Sequence, residues 1–534
     1  MNRPESIHHQ YEAWPYPHYP LLASVRRLDT WQLNVDYLWD RCGRGRAPAR
    51  PRIWIAGCGT FQPYTLGLAN PQAEILATDI SRHSLRLARR RCLWHGMDRH
   101  RFEPADLNDP DTWPAGPFDY IECYGVLMNL EDPAATLSAM GARLSEGGIL
   151  RIMVYPHYSR QRIFQIQRVA ELLGLHHRNR DHPGILRRLM TALPRTHPLR
   201  HAFVSYPDSA NDPGIVDGFL HAGDHGFTGR QLGALIRDSG LEAAFWFHRP
   251  WGQPDAMGRL LGLEPQPATE VLDYLDLWQE LRTNLIVCLR SKGDPTPETG
   301  ALRMHPLLNP GTPGLPLPGR LRVAAQRVLG TTLPSRTHAA PLRWSASDLA
   351  RLRAVARDTA TDEETARALR DRALAEGVLL GGEPTVLVTN GASPGAVDPD
   401  PPPLQLGSSV PNPLYHHLFA AYHRAGDELQ EEIDRWEPHA EPLEDEGGFG
   451  LTPVATYKRF AEEIRRHLRE GPGESVESYA EVRYAGEDAG IAALNSFLKN
   501  FEVPSAEELN PAQARELWVL LGSHDQLFLA ADAV

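Results

Sequence analysis

The first half of the chain alternates between two hydrophobic patterns. Short apolar runs bounded by turn residues predict strands, and apolar positions at helical spacing predict helices between them, as over 81–94 and 133–144. This alternation is typical of a doubly wound, mostly parallel α/β sheet with helices on both faces. The predicted parallel strands are 52–56, 74–79, 101–104, 118–123 and 148–155, and a closing antiparallel pair is predicted at 241–247 and 284–289.

The pattern changes between the fifth and sixth predicted strands. Residues 159–198 are rich in Arg, His and Leu with helical spacing, and 203–223 have the composition of an irregular loop. We therefore expect an insertion at about 156–230 in the predicted sheet domain.

Two proline-rich stretches divide the second half of the chain. Proline interrupts helices, so both stretches are predicted to be linkers. The unit between the two stretches combines helical patterns with an apolar strand at 385–388, which suggests a small winged-helix-like domain. The predicted organisation is a sheet domain at 1–292, a linker at 293–320, a small helical domain at 321–392, a linker at 393–413 and a mainly helical domain at 414–534.

Two glycines follow the first predicted strand. Gly57 and Gly59 expose bare backbone to a ligand, and Asp79 ends the next strand, where a carboxylate can accept both hydroxyls of a ribose. A dinucleotide fingerprint would place a third glycine where this chain has Gln62 or Pro63, and the loop carries no Lys or Arg for a phosphate. The pattern favours S-adenosylmethionine (SAM) over NAD, and an NAD-dependent oxidoreductase stays as the third alternative.

Later segments extend this pattern to a known family. The runs Phe118–Pro133 and Leu144–Ile152, read together with the glycine loop and the acidic residue, resemble motifs of class I SAM-dependent methyltransferases. The segment Gln10–Pro17 is similar to the pre-core segment of a bacterial subset of these enzymes, and the resemblance covers roughly 7–292. It implies a seven-stranded Rossmann-like methyltransferase sheet with one antiparallel strand, and SAM as the cofactor.

The resemblance also implies a set of cofactor-binding residues. The glycine loop would approach the methionine part of SAM, Asp79 the ribose and Asp106 the adenine amine, while Tyr11 and Tyr16 would form a lid. Aromatic faces attract a sulfonium as they attract an ammonium. Ordinary packing is the alternative for both tyrosines. The full predicted set is Tyr11, Tyr16, Ala56, Gly57, Cys58, Gly59, Asp79, Ile80, Asp106, Leu107, Tyr124 and Gly125.

The sequence identifies the residues that would bind the methyl acceptor less clearly than those that would bind the cofactor. Histidine titrates near neutral pH, so His157 and His221 are candidate bases, with Tyr155 beside them, although a structural role is the alternative for any one of the 23 histidines. Arg160 and Arg162 would suit an acceptor that carries a carboxylate. Further candidates are Tyr158 and His225, and relatives often carry histidines at the positions of Met128 and Asn129.

Composition narrows the choice of partners and compartment. The formal charge is −12 over 534 residues, which argues against a broad nucleic-acid footprint. The arginines between Arg82 and Arg101 are expected to form a solvated helix face. We predict no metal site, no membrane span and no signal peptide, and the five cysteines show no pairing motif, so we expect a cytoplasmic protein with reduced thiols.

Several functions remain open at this stage. The first is a SAM-dependent methyltransferase that acts on a small-molecule or peptide/protein acceptor. The second is a non-catalytic SAM-binding regulatory or scaffold protein, and an RNA methyltransferase is a further alternative. A homodimer formed through the C-terminal region is an additional expectation.

Overall fold

A computed structural model describes most of the first 293 residues and shorter stretches beyond them. The described residues are 3–21, 23–25, 27–193, 197–221, 223–247, 268–277, 281, 284–293, 301–308, 346–356, 369–370, 373–374, 378–381, 494, 498–501, 503 and 509–522. Among them, no helix is both long and apolar enough to cross a membrane.

The chain forms two compact units. The first contains the sheet and the candidate site. In the second, two helices are described, and the His197 Nε2 atom lies 3.1 Å from the Leu521 carbonyl oxygen. The first unit comprises 1–171, 175–187 and 206–390, and the second comprises 172–174, 188–205 and 391–534.

A seven-stranded sheet forms the centre of the first unit, in the order β3-β2-β1-β4-β5-β7-β6. Strands β1 to β5 pair in parallel, and β7 runs antiparallel to both β5 and β6. The predicted fold class, with its single antiparallel strand, is therefore confirmed. The strands are β1 Arg52–Ala56, β2 Glu74–Asp79, β3 Arg101–Pro104, β4 Phe118–Tyr124, β5 Leu144–Val154, β6 Leu241–Trp246 and β7 Leu285–Ser291.

Helices cover both faces of this sheet. Their local signals are visible in the sequence, since Ser81 caps one helix through Ser84 N and Asp132 caps another through Ala135 N. The described helices of the whole chain, including those of the second unit, are α1 Arg3–Ala13, α2 Val35–Arg41, α3 Gln62–Ala69, α4 Arg82–Trp94, α5 Pro133–Gly141, α6 Gln161–Leu172, α7 His182–Ala192, α8 Pro198–Ser205, α9 Asp212–Phe219, α10 Gly229–Asp238, α11 Ala268–Leu277, α12 Ala346–Val355 and α13 Pro511–Gly522.

Alternate side chains of the central strands fill two separate cores. On one face, Trp54 and Ile121 pack in a cluster that includes Leu137 of α5. On the other face, Ile53 and Ile55 pack with residues of α2, α3 and α4. Because both faces are covered, the strands are apolar throughout, as parallel strands usually are.

The region between β5 and β6 is more helical than its sequence suggests. Residues 203–223 were expected to form an irregular loop, but they include the end of α8, a short 3-10 turn at Pro207–Ala210 and all of α9. The expectation is wrong because Pro213 stands in the first turn of α9, where proline is tolerated, and Asn211 caps that helix through Gly214 N. Helices α6 to α9 therefore precede α10 and the last strand pair.

Part of the predicted first linker packs against the N-terminal part of the unit. Residues Arg303–Met304 form β8, which pairs with β9 at Leu379–Leu380. The Arg303 guanidinium binds Asp36 of α2 through two contacts of 3.0 Å. The predicted domain boundaries otherwise stay predictions, since the proposed wing strand at 385–388 and the linker at 393–413 lie outside the described residues.

Candidate functional site at the carboxyl edge of the sheet

The loop after β1 takes a conformation that requires glycine. Gly57 has a φ of +76° and Gly59 a φ of +54°. A Cβ atom on Gly59 would lie 2.7 Å from the Tyr16 carbonyl oxygen, and one on Gly57 would lie 2.5 Å from a methyl of Val126. The amides of Gly57 and Cys58 both donate to the Thr78 carbonyl at 2.9 Å. The loop is therefore held tightly, with its backbone bare.

Asp79 lies directly beside this loop. Its Oδ2 accepts from Gly59 N at 2.8 Å, and its Oδ1 accepts from Ser81 N at 2.9 Å. Burial raises the pKa of Asp79 to about 6, although both backbone hydrogen bonds oppose the shift. Each carboxylate oxygen has accepted one protein hydrogen bond and keeps capacity for another, so the group fits the two hydroxyls of a ribose.

Asp106 and Leu107 offer a paired acceptor and donor. Asp106 Oδ1 accepts from the backbone and side-chain nitrogens of Asn108 at 2.9 Å and 3.2 Å. Within the described part of the chain, Asp106 Oδ2 and the backbone N–H of Leu107 have no hydrogen-bond partner. An adenine edge presents a donor amine next to an acceptor ring nitrogen. The two groups fit that edge.

The end of β4 is supported from within the sheet. Gly125 has a φ of +78°, and its N–H donates to the Met153 carbonyl at 3.1 Å. The Arg151 guanidinium lies 4.9 Å from the centroid of the Tyr124 ring and binds buried Glu122 at 2.9 Å. The Tyr124 ring therefore packs against a guanidinium that is itself held by a buried ion pair.

The N-terminal segment lies against the same edge. Tyr16 accepts a hydrogen bond on its carbonyl oxygen from Thr60 N at 3.1 Å. Glu12 accepts from the Ser81 hydroxyl at 2.9 Å and from His83 N at 3.0 Å, over the first turn of α4. Trp14 donates to the His177 carbonyl at 2.7 Å. The segment thus joins the glycine loop, α4 and the region between β5 and β6.

Arg91 holds the N-terminal segment through hydrogen bonds to its backbone carbonyls. It is 2% exposed, and it donates to the carbonyls of Tyr19 and Pro20 at 2.9 Å each. Its guanidinium also lies 4.9 Å from the centroid of Phe61. The expectation that the arginines of α4 form a solvated face holds for exposed Arg82, Arg86, Arg89 and Arg90, but it is wrong for Arg91.

Tyrosines and aspartates from four parts of the chain meet above the sheet edge. The Tyr11 hydroxyl donates to Asp217 at 3.0 Å, and the Tyr16 hydroxyl donates to Asp208 at 2.8 Å. Electrostatic coupling joins Asp217 to Asp208, Asp224 and Arg160. We call this group the tyrosine–aspartate cluster, and it consists of Tyr11, Tyr16, Tyr155, Arg160, Asp208, Asp217 and Asp224.

Arg160 is occupied by a protein partner. Its guanidinium binds Asp224 at 2.8 Å and lies 3.5 Å from the centroid of the Tyr155 ring. Arg162 is exposed and donates to Gln165 at 3.0 Å. The reason for expecting an acceptor carboxylate at Arg160 and Arg162 is therefore removed, because neither guanidinium is an unpaired charge directed at the cluster.

Asp217 is the most perturbed carboxylate of the cluster. It is 6% exposed. Burial, with the negative charges of Asp224 and Asp208, raises its pKa to about 7, although the Tyr11 hydrogen bond and Arg160 oppose the shift. A carboxyl group with a pKa near neutrality can both bind and release a proton at physiological pH.

The histidine candidates have defined neighbours. Gly223 N donates to Nδ1 of His221 at 3.0 Å, so Nδ1 carries no proton and the Nε2–H faces the Tyr11 oxygen at 3.1 Å. His221 is therefore a donor to Tyr11 in this arrangement. His157 instead lies beside Gln161, whose amide is 3.2 Å from its Nε2. The structure thus brings His221 and Tyr155 to the cluster but gives His157 a different set of contacts.

Several cluster residues were missed by sequence reasoning. Asp208 lies in the short 3-10 turn and Asp224 in the loop after α9, where aspartate is common, so no signal separates them from ordinary loop residues. Asp217 has a signal, because it interrupts the apolar run 215–220 and a carboxylate in such a run must be buried with partners. Among the predicted residues, Ala56 and Cys58 are buried around the glycine loop, and Ile80 follows Asp79 directly.

Comparison with known proteins agrees with this geometry. Residues 55–150 match the family described as a methyltransferase domain. The chain is 35% identical over 280 residues to an uncharacterized protein of Synechococcus sp., covering 51% of this chain and 66% of that relative, just under two thirds of its length. It is 33% identical over 86 residues to the uncharacterized phycocyanin operon protein W of Pseudanabaena tenuis, covering 15% of this chain and 79% of that relative. The solved structure of PKMT2 from Rickettsia typhi matches with a TM-score of 0.43 at 14% identity, covering 69% of this chain and 77% of that one.

The family match identifies one domain of the chain. Residues 55–150, which run from β1 into β5, form a methyltransferase domain of the class I SAM-dependent type. SAM is the cofactor of this family.

Proposed function

We propose that the protein transfers a methyl group from SAM to a small-molecule or peptide/protein acceptor. The observation that carries this proposal is the Asp79 carboxylate, held by Gly59 N and Ser81 N with one acceptor site left on each oxygen. The open acceptor of Asp106 and the donor of Leu107 add the contacts that an adenine edge needs.

SAM would supply a methyl group on a positively charged sulfur. Displacement at that carbon requires the acceptor, the methyl group and the sulfur to lie in line, so the protein's main contribution is to position the reactants and exclude water. Asp79 and Asp106 would hold the nucleoside end. Gly57 and Gly125 leave room at the ends of β1 and β4 for the methionine end, and the Tyr16 segment would cover it.

A non-catalytic SAM-binding scaffold is the second candidate. Such a protein would need only the site that binds the nucleoside part of SAM. The tyrosine–aspartate cluster favours catalysis instead, because a base with a pKa near 7 lies at the sheet edge where ligands of open α/β sheets bind. An NAD-dependent oxidoreductase is disfavoured because the loop has no third glycine.

Calorimetry of SAM and S-adenosylhomocysteine binding tests the proposal. The purified protein should bind both in the low micromolar range or tighter. Asp79→Ala should weaken binding by about 2–3 kcal/mol, because the ribose hydroxyls lose a charged acceptor. The matched control is Asp238→Asn, which changes an exposed aspartate at the end of α10 and should leave the affinity unchanged. Equal affinities of the wild type and Asp79→Ala would refute the site, and competition by NAD would revive the oxidoreductase.

A further inference from the structure

We propose that the tyrosine–aspartate cluster binds the methyl acceptor as a cationic amine, and that Asp217 is the base that takes a proton from it. The inference rests on the proposed methyltransferase function and specifies its substrate class. The amine can belong to a small molecule or to a lysine side chain of a peptide, because both present the same alkylammonium group.

The cluster lies where an acceptor would have to be. Tyr155 follows β5, and Tyr16 is hydrogen-bonded through its carbonyl to Thr60 of the glycine loop. Tyr11 belongs to the helix whose last turn contacts Ser81, two residues after Asp79. The cluster is thus joined to both ends of the proposed SAM site, at the carboxyl edge of the sheet.

Its charges are unbalanced in favour of a cation. Two buried carboxylates, of Asp217 and Asp224, share one guanidinium, that of Arg160. Arg160 binds Asp224, and the hydrogen-bond partner of Asp217 is the Tyr11 hydroxyl, which is a neutral donor. Buried carboxylates without a counter-ion are costly, so a positively charged ligand would stabilise the site.

A buried oxygen of Asp224 is a second observation that points to a ligand, and it does not depend on the balance of charges. The Asp224 side chain is 2% exposed, and its Oδ2 receives hydrogen bonds from Arg160 and Gln167. Its Oδ1 is also buried but has no hydrogen-bond partner in the part of the chain that the structure describes. An ammonium has three donors and would satisfy this acceptor together with Asp217.

Other ligand classes fit less well. An acceptor carboxylate would meet the negative charges of Asp217 and Asp224 and an arginine that is already paired. A metal ion would need converging ligands, and among the described residues no three His, Cys, Asp or Glu side chains are arranged to hold one. The tyrosine rings add aromatic faces, which attract organic cations.

Methyl transfer begins with the loss of a proton from the acceptor. The acceptor R–NH3⁺ gives one proton to the Asp217 carboxylate and becomes R–NH2. Its nitrogen lone pair forms a bond to the methyl carbon of SAM while the carbon–sulfur bond breaks, and the sulfur keeps that electron pair as a neutral thioether. The product is R–NH2CH3⁺, and Asp217 later releases its proton to water.

The groups around Asp217 set the pH range of this step. They come from α1, the segment after it, the residues between β5 and α6, the segment between α8 and α9, and the loop after α9. They are Tyr11, Tyr16, Tyr155, Arg160, Tyr206, Asp208 and Asp224, and His221 contacts Tyr11. Together with burial they hold the pKa of Asp217 near 7, so turnover should rise with pH through that value.

Transfer of a labelled methyl group from SAM to simple probes tests the proposal in the full-length protein. The probes are butylamine, a short lysine-containing peptide, butanol and butyrate. We expect methylation of an amine probe and none of butanol or butyrate, and the two amine probes distinguish a small-molecule from a peptide acceptor. Asp217→Asn should lower kcat/KM by about 100-fold or more and remove the rise near pH 7, while the Kd for SAM stays within about twofold.

Asp212→Asn on the same helix is the matched control. Asp212 is 43% exposed and pairs with Arg187, so this variant should keep the wild-type rate. The proposal is overturned if the SAM-bound protein methylates neither amine, if butanol or butyrate is the better acceptor, or if Asp217→Asn keeps its rate and pH profile. Absence of SAM binding in the wild type would refute the proposed function itself, which separates the two failures.

Discussion

The Tyr11 hydroxyl donates a 3.0 Å hydrogen bond to Asp217, a residue 206 positions later in the chain. The contact joins the first helix to the region inserted between β5 and β6. It forms above the carboxyl edge of the sheet, where the glycine loop and Asp79 also lie. The same hydroxyl faces His221, so a single tyrosine links the N-terminal segment to two groups of the inserted region.

Removing this hydroxyl should shift the pH dependence of turnover. The Tyr11 hydrogen bond lowers the pKa of Asp217 from what burial alone would impose, so Tyr11→Phe should raise that pKa above about 7. The acidic limb of the pH–rate profile should move to higher pH, and the rate at pH 7 should fall more than the rate at pH 9. A profile of methyl transfer between pH 5.5 and 9.5 checks this, and an unmoved limb would exclude Asp217 as the titrating group.

Protonation of Asp79 should have opposite effects on the stability of the fold and on the affinity for SAM. Its folded pKa of about 6 lies above the ordinary value of 3.8, so its ionised form destabilises the unliganded fold, and this cost is lost as the pH falls below 6 towards 4. SAM needs the ionised form, because a protonated carboxyl cannot accept at both oxygens. Affinity should therefore fall by up to about tenfold per pH unit below pH 6.

Calorimetry in buffers of different ionisation enthalpy measures this linkage. At pH 6 the binding of SAM should release part of a proton, since the ligand favours the ionised carboxylate. Asp79→Asn should bind weakly at every pH and release no proton from this site. Proton release that persists in Asp79→Asn would assign the linkage to another group.

Arg91 should control the N-terminal segment without contacting any ligand. Arg91→Ala would leave the carbonyls of Tyr19 and Pro20 without their charged donor, at a cost of about 2–4 kcal/mol in the free energy of unfolding. The loosened segment should also raise the Kd for SAM. Arg90→Ala, at an exposed neighbouring position of α4, should change stability by less than about 0.5 kcal/mol. Denaturant unfolding and calorimetry on both variants decide whether the segment completes the site.

The sheet and the nucleoside site could be predicted because their signals are local. Gly57, Gly59 and Asp79 stand at the ends of consecutive strands, so strand order alone brings them together. The cluster could not be predicted in the same way. Tyr11 and Asp217 are separated by the whole parallel sheet, and their pairing depends on how α1 and α9 pack, which no local spacing encodes. Arg91 was placed on the solvated face for a similar reason, since its carbonyl partners lie about 70 residues earlier.

Truncation should separate SAM binding from stability. Every proposed SAM contact precedes residue 293, so a fragment ending at Lys292 should keep the nucleoside site. That fragment would lose Arg303, which binds Asp36 through two 3.0 Å contacts, and buried His305, whose ring lies 4.4 Å from the Trp31 ring. We expect the 1–292 fragment to bind SAM within about threefold of the full chain, but its free energy of unfolding should be lower by at least about 2 kcal/mol.

A fragment ending at 390 should recover that stability, and Arg303→Ala in the full chain should reproduce part of the loss. Thermal unfolding and calorimetry on the same samples make the comparison. A folded 1–292 fragment that does not bind SAM would show that residues beyond 292 complete the cofactor site.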